Sequence, residues 1–174
     1  MSKAKLKKEL ESLSKVQLVE HILDLYEKHK AVKDFYDFFL NSTPGNEKEL
    51  AEKFKKLIYK EFNVSNPNRG GMKFSVAKRA IADFKNLQTS PYWLADVMLA
   101  LPESACEITH LYGDMSEQFY DSTYNNFVAT LKYMKKHGLL SEFKPRVEQC
   151  VDWAEPCGYG FSDVMSDAFY DYYG

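Results

Sequence analysis

The sequence predicts an all-α protein, and three observations support this prediction. Apolar residues recur at helical spacing along almost the whole chain, no segment alternates between apolar and polar residues as a strand does, and Val, Ile and Thr are sparse. Capping residues and Gly or Pro stops divide the chain into eight or nine helical segments. With 174 residues, 45% of them hydrophobic and 28% charged, the chain has the size of one folded domain, 1–174.

Caps and breakers place five helices in the first half of the chain. Their caps or first residues are, in order, Ser2, Ser14, Val32, Asn46 and Ser75. Ser14 and Gln17 have the spacing of a capping box. The breaker residues 41–45 end the third helix, and a long loop signal over 63–71 separates the fourth from the fifth.

Four more helices follow in the second half, and their first residues are Pro91, Ser116, Ser141 and Ser162. Pro102 predicts a kink or a restart within the first of them, because proline lacks the N–H that an interior helical hydrogen bond needs. The last helix carries an apolar stripe made of Phe161, Val164, Met165, Ala168 and Tyr172. This stripe predicts that the helix packs on the core although it is terminal.

These helices fit a single irregular domain of stacked antiparallel hairpins, with 116–154 as the clearest hairpin; a compact helical bundle is the alternative. No strict period of 34 or 40 residues recurs, so the sequence does not support a regular repeat array. No apolar run approaches the ~20 residues of a membrane span. The first residues lack the apolar stretch of an export signal, so we expect a cytoplasmic protein.

Charge is unevenly distributed along the chain. Residues 1–90 contain 18 Lys and Arg against 12 Asp and Glu, whereas 91–174 contain 5 against 13. The basic half either offers a surface to an anionic partner or pairs with the acidic half. The candidate contacts to an anion or a nucleic acid are Lys53, Lys56, Lys60, Arg69, Lys73, Lys78, Arg79 and Lys85.

Acidic residues form two patterns that could bind metal ions. Glu107 and His110 form a Glu-x-x-His pair, and Glu103 and Asp114 extend the same face. Di-iron bundles use two such motifs, and this chain has one, so we expect an exposed polar face and no bound metal. Three aspartates, Asp163, Asp167 and Asp171, recur every four residues on the last helix, where we also expect an exposed face. The alternatives are a site for Mg²⁺ or Ca²⁺ and a contact with a basic surface, either of a partner or of the chain's own first half.

The three cysteines predict neither a disulfide framework nor a zinc site. Cys106, Cys150 and Cys157 lack the Cys-x-x-Cys spacing of zinc ligands. Cys150 lies on an apolar stripe and is predicted to be in the core, whereas Cys157 lies in a Gly-rich turn and is the candidate exposed thiol.

Several segments carry a resemblance to a known family. They are 13–28 (LSKVQLVEHILDLYEK), the helix of Lys85, 94–99 (LADVML), 112–120 (YGDMSEQFY) and 160–167 (GFSDVMSD). Through them nearly the whole chain resembles an uncharacterised bacterial family, a small all-helical domain of unknown function. The resemblance implies the fold class and carries over no activity, substrate or site residue.

The sequence does not reveal a biochemical activity. It contains no nucleophile elbow, no Walker loop and no dinucleotide fingerprint. The leading interpretation is a non-enzymatic interaction or structural domain without a cofactor, whose partner is another protein or a second copy. The alternatives are a nucleic-acid-associated protein that uses the basic half, and a metal-dependent enzyme.

Overall fold

Helices make up most of the described chain, which confirms the all-α prediction. The computed structural model describes residues 2–41, 44–63 and 71–174, and these ranges contain nine α-helices and no strand. The helices are α1 (Lys3–Glu11), α2 (Lys15–Lys28), α3 (Lys30–Asn41), α4 (Pro44–Phe62), α5 (Phe74–Asn86), α6 (Pro91–Tyr112), α7 (Glu117–His137), α8 (Leu140–Ala154) and α9 (Phe161–Tyr173). No helix of the described ranges is both long and apolar enough to cross a membrane.

The chain divides into two compact units, Met1–Ser42 and Thr43–Gly174. The first contains α1 to α3 and the second contains α4 to α9. The organisation of 1–174 as a single domain stays a prediction.

The first unit confirms the predicted caps. The Ser2 hydroxyl accepts a hydrogen bond from the Lys5 N–H at 3.3 Å. At α2, the Gln17 N–H donates to the Ser14 hydroxyl while the Ser14 N–H donates to the Gln17 side chain. This capping box satisfies two N–H groups that have no partner within the helix. Neither α1 nor α2 contains a buried residue.

The second unit is built around α6, which packs against α4, α5, α7 and α8. Apolar residues occur on all sides of α6, and 13 of its residues are buried, so other helices must cover it all round. Pro102 neither ends nor restarts the helix, which continues from Pro91 to Tyr112. Its own Leu99 is fully buried, and the large, fully buried side chains around it include Ile58, Phe84, Phe127, Leu131 and Phe143.

The segment 116–154 differs from a simple hairpin. Both α7 and α8 pack more extensively on α6 than on each other, because α6 offers each of them an apolar face. The turn between them is as predicted: Gly138 adopts a left-handed conformation with φ of 70° and ends α7.

Some helix starts differ from prediction by one or two residues. Helix α4 begins at Pro44, two residues before the predicted cap Asn46, and α5 begins at Phe74, one residue before Ser75. Most of the breaker and loop signals, at 42–43 and 64–70, lie outside the described residues.

Helix α9 packs on α7 and α8, as its apolar stripe predicts. Phe161, Met165 and Ala168 are buried, and the Phe161 ring stacks on Tyr120 with 4.3 Å between centroids. Val164 was wrongly included in the stripe: it is 39% exposed, because it lies at the edge of the face that Phe161, Met165 and Ala168 share.

The Asp114 carboxylate holds the turn that leads into α9. It accepts hydrogen bonds from the Tyr120 hydroxyl and from the Gly158 N–H, the latter at 3.0 Å. These two bonds, that from Tyr120 above all, lower the pKa of Asp114 below its ordinary value, because they stabilise the charged form. A Cβ atom at position 158 would lie 2.9 Å from Asp114 Oδ2, so the approach depends on glycine.

The docking of α9 gives a first test of the fold. We expect Met165→Ala, at a fully buried position, to lower the free energy of unfolding by about 2–5 kcal/mol through the cavity it leaves. The matched control Val164→Ala, one residue away and exposed, should cost less than about 1 kcal/mol. Urea denaturation followed by circular dichroism measures both, and equal losses would contradict the docked orientation of α9.

Candidate binding groove and a separate ion-pair network

An apolar groove lies where α5 and α7 flank α6 in the second unit. Its volume is about 420 Å³. The apolar part of its lining comes from all three helices and consists of Ile81, Ala82, Leu94, Met98 and Ala129, with the ring of Tyr133 beside them. The groove therefore exists because α6 is covered on two sides by helices that leave a strip of it between them.

Four lysines also line this groove. Lys78 and Lys85 come from α5, and Lys132 and Lys136 come from α7. Spacings of seven and four residues place each pair on one face of its helix. All four side chains are exposed, and within the described ranges none of the four ammonium groups forms an ion pair.

The lysines and the apolar lining together form an amphipathic surface, which we call the lysine groove. The aliphatic stems of lysine can pack along apolar surface while their ammonium groups stay in water. Four like charges around one concave apolar strip attract anionic groups and repel cationic ones. The groove therefore favours a ligand that combines negative charge with apolar surface.

The structure separates the predicted basic residues of α4 from the lysine groove. Lys53 and Lys56 line a different depression together with Lys48, Glu49 and Glu52, so both signs of charge are mixed there. Lys60 is exposed on α4. This part of the predicted basic surface is thus less strongly positive than the groove.

The remaining predicted basic residues have separate positions. Arg69 lies outside the described residues. Lys73 precedes α5, and its backbone N–H donates to the Glu61 carboxylate at 2.9 Å. Arg79 points to solvent, with its Nε atom 4.0 Å from Asp83. Of the eight predicted contacts, Lys78 and Lys85 are those that line the lysine groove.

Sequence reasoning missed Lys132 and Lys136. They occupy the last two turns of α7, where basic side chains stabilise the helix through its dipole whether or not a partner binds. The signal that could have found them is the alternation of lysines with Ala129 and Tyr133 on one face of α7, which matches the pattern of Lys78, Ile81, Ala82 and Lys85 on α5.

The three metal candidates are not brought together. Glu103 is held by Arg146, whose Nε and Nη2 atoms donate to its two carboxylate oxygens at 2.6 Å each. Glu107 is exposed at a cavity of about 210 Å³ between α4 and α6, and the His110 ring lies 6.4 Å from that of Trp153. The described residues contain no group of three or more His, Cys, Asp or Glu side chains that could hold a metal ion. Asp114, expected on the same face, follows the end of α6 and holds the 157–160 turn.

Comparison with known proteins places the chain in a family. Residues 1–156 match the model of DUF6155, described as a family of unknown function. The chain belongs to the DUF6155 family. No curated protein and no solved structure matches it. The resemblance found in the sequence is confirmed as far as the family and its all-helical fold are concerned, and the family assigns no activity.

Asp96 is the centre of an ion-pair network in this DUF6155 chain. Asp96 is only 3% exposed, and its carboxylate binds Lys55 Nζ at 2.9 Å and Arg146 Nη1 at 2.5 Å. Lys55 also binds Glu52 at 2.7 Å, and Arg146 binds Glu103. Three helices, α4, α6 and α8, are thereby joined through side chains that would be costly to bury unpaired.

The network also bears on the uneven charge of the chain. Among the ion pairs between described residues, Lys55–Asp96 joins a base from 1–90 with an acid from 91–174. The others stay within one half. Most of the basic and acidic side chains that the structure describes therefore form no ion pair with the other half of the chain.

Burial and pairing act in opposite directions on the pKa values of this network. Burial raises the pKa of Glu103, and the hydrogen bonds from Arg146 only partly offset it. Burial would lower the pKa of Lys55, but its bonds to Glu52 and Asp96 outweigh this effect and leave the pKa raised. Both side chains therefore belong to the ion-pair network that joins the helices.

The structure of the DUF6155 chain confirms the predicted core position of Cys150. Cys106 and Cys150 are fully buried in α6 and α8. Burial, with a hydrogen bond to the Cys106 thiol, raises the pKa of Cys150 well above its ordinary value, which disfavours the reactive thiolate. Cys157 is half-buried, with its Sγ atom 3.8 Å from the Trp153 carbonyl.

The ion-pair network gives a second test. Arg146→Met would leave Asp96 with one partner and Glu103 with none, and we expect it to lower the free energy of unfolding by about 3 kcal/mol or more. The control Arg79→Met removes an exposed arginine 4.0 Å from its partner and should change stability by less than about 1 kcal/mol. Urea denaturation measures both, and similar small losses would contradict a structural role for the network.

The same variant should depend on pH in a defined direction. Without Arg146 the pKa of buried Glu103 rises further, so the folded variant takes up a proton at a pH where the unfolded chain, with a pKa of about 4.3, does not. Its stability therefore falls as pH rises through that window. We expect the loss caused by Arg146→Met to be larger at about pH 8 than at about pH 5, and a loss that grows toward acid would contradict this assignment.

Proposed function

We propose that this chain is a cytoplasmic, non-enzymatic interaction domain that binds an acidic, amphipathic helix of a protein partner in the lysine groove. The observation that carries the proposal is the set of four lysines, free of ion pairs within the described ranges, around one apolar concave strip. An amphipathic helix that lays its apolar face into a groove is a recurrent mode of protein recognition.

The dimensions of the groove support a helical ligand. Lys78 and Lys85 are seven residues apart on α5, which corresponds to about 10 Å along the helix axis. This is close to two turns, so carboxylates that recur every four residues on a bound helix would lie near the lysines of the rim. Apolar residues between those carboxylates would meet the apolar lining, and both kinds of contact would form together.

The apolar lining also favours a protein segment over a nucleic acid. A protein surface that binds nucleic acid needs many contacts to phosphate groups, and it frequently uses arginine to read the bases. The lysine groove has lysines only at its rim, and an aliphatic lining gives phosphate nothing to bind. A nucleic acid would instead need the more dispersed basic residues of α4, where Glu49 and Glu52 reduce the positive charge.

A designed peptide tests the proposal. The probe is a fluorescent helix of about three turns, with Glu at four-residue intervals and Leu and Tyr between them. We expect it to bind, and the variant Lys78→Glu/Lys132→Glu to weaken binding by at least about tenfold, because attraction at two rim positions becomes repulsion. Fluorescence anisotropy gives both Kd values.

Two controls make the peptide test specific. Lys53→Glu/Lys56→Glu, which reverses two exposed lysines on α4, should leave peptide binding unchanged. A scrambled peptide of the same composition should bind less tightly, since its apolar and acidic residues no longer occupy one face. If Lys78→Glu/Lys132→Glu leaves peptide binding unchanged, the proposal is contradicted. If the chain binds duplex DNA and Lys53→Glu/Lys56→Glu abolishes that binding, a nucleic-acid partner is supported instead.

A further inference from the structure

The outward face of α9 is acidic and partly apolar. Asp163, Asp167 and Asp171 are exposed on it, together with Val164 at 39% and Tyr170 at 66% exposure. Their spacing of i, i+1, i+4, i+7 and i+8 places them on one side of the helix, with Val164 at the edge next to the docked face. The opposite face is the one docked on α7 and α8.

This arrangement is unfavourable for an isolated chain. Carboxylates four residues apart on a helix repel each other, and no side chain of the described residues forms an ion pair or a hydrogen bond with any of the three. A large aromatic side chain beside them is left in water. A cationic surface with apolar character would relieve both costs at once.

The lysine groove is complementary to this face in the sign of its charge, in its apolar surface and in the spacing of its charged groups. Three carboxylates on α9 face outward, whereas four ammonium groups line the groove. Asp163 and Asp171 are separated by about 12 Å along α9, and Lys78 and Lys85 by about 10 Å along α5. Val164 and Tyr170 supply apolar surface of the kind that the groove lining would cover.

A copy cannot bring its own α9 into its own groove without undocking it. Phe161, Met165 and Ala168 hold the helix on α7 and α8, and the groove lies between α5, α6 and α7. The outward face of a docked α9 is, in contrast, open to another molecule.

We propose that the lysine groove of one copy binds the outward face of α9 of a second copy. This inference rests on the proposed function of the groove and names its partner. The two surfaces differ, so the contact is head-to-tail: each copy offers one groove and one α9, and the products are rings or open chains. The contact is charged and exposed at its rim, so it weakens as salt is added.

Variants that neutralise one surface at a time test the inference. The groove variant is Lys78→Gln/Lys132→Gln and the α9 variant is Asp163→Asn/Asp167→Asn, and all four positions are exposed. Sedimentation velocity of the full chain at low salt should show concentration-dependent association. Each variant alone should lower the association constant by at least about tenfold, because facing charges are lost. Lys53→Gln/Lys56→Gln is the matched control and should associate like the native chain.

Mixing the two variants tests the head-to-tail geometry. The groove variant keeps a native α9 and the α9 variant keeps a native groove, so one native contact forms and the mixture should stop at a 1:1 dimer. A charge swap within one chain, Lys78→Glu/Lys132→Glu with Asp163→Lys/Asp167→Lys, should restore association. Circular dichroism and thermal melting check that each variant is folded.

The outcomes separate this inference from the proposed function. A native chain that stays monomeric at low salt up to its solubility limit overturns the inference, and if it still binds the designed peptide through the groove, the proposed function stands. Association that persists in the groove variant overturns the inference as well. Another outcome is that the groove variant and the α9 variant both abolish association and the charge swap restores it, while the designed peptide does not bind. This result keeps the second copy as the partner and rejects a general acidic-helix ligand.

Discussion

The burial of α6 on all sides is the constraint on which the second unit depends. Because its apolar residues surround the helix axis, four other helices must pack against it, and each of them needs an apolar face of its own. The flanking positions of α5 and α7 follow from this requirement. The lysine groove lies along the strip of α6, around Leu94 and Met98, that these two helices border without covering fully.

Asp96 introduces a charge into the same helix and adds a second requirement. A carboxylate this deeply placed is stable only with partners, and Lys55 and Arg146 arrive from the two helices that pack beside it. Replacement of all the charged partners by apolar residues could stabilise the fold, whereas removal of one partner leaves a buried charge. The network thus restricts how α4 and α8 can approach α6.

Local signals were readable from the sequence, and contacts between distant residues were not. Ser14 with Gln17, Ser116 and Gly138 marked helix ends because capping depends on residues within one turn. The exposed aspartates of α9 followed from periodicity alone. Glu103 resembled a metal ligand because its partner Arg146 is 43 residues away, and Lys132 resembled an ordinary helix-end cation because its neighbour Lys78 belongs to another helix.

The Asp114 contact has a mechanical consequence. The carboxylate connects the residue after α6, the Tyr120 side chain of α7 and the backbone just before α9. The contact therefore fixes the 157–160 turn against α7 before the buried residues of α9 begin. Any motion of the start of α9 away from α7 must first break the two hydrogen bonds of Asp114. Because hydrogen bonding holds the pKa of Asp114 low, the carboxylate stays charged and the contact persists as pH falls until that lowered pKa is reached.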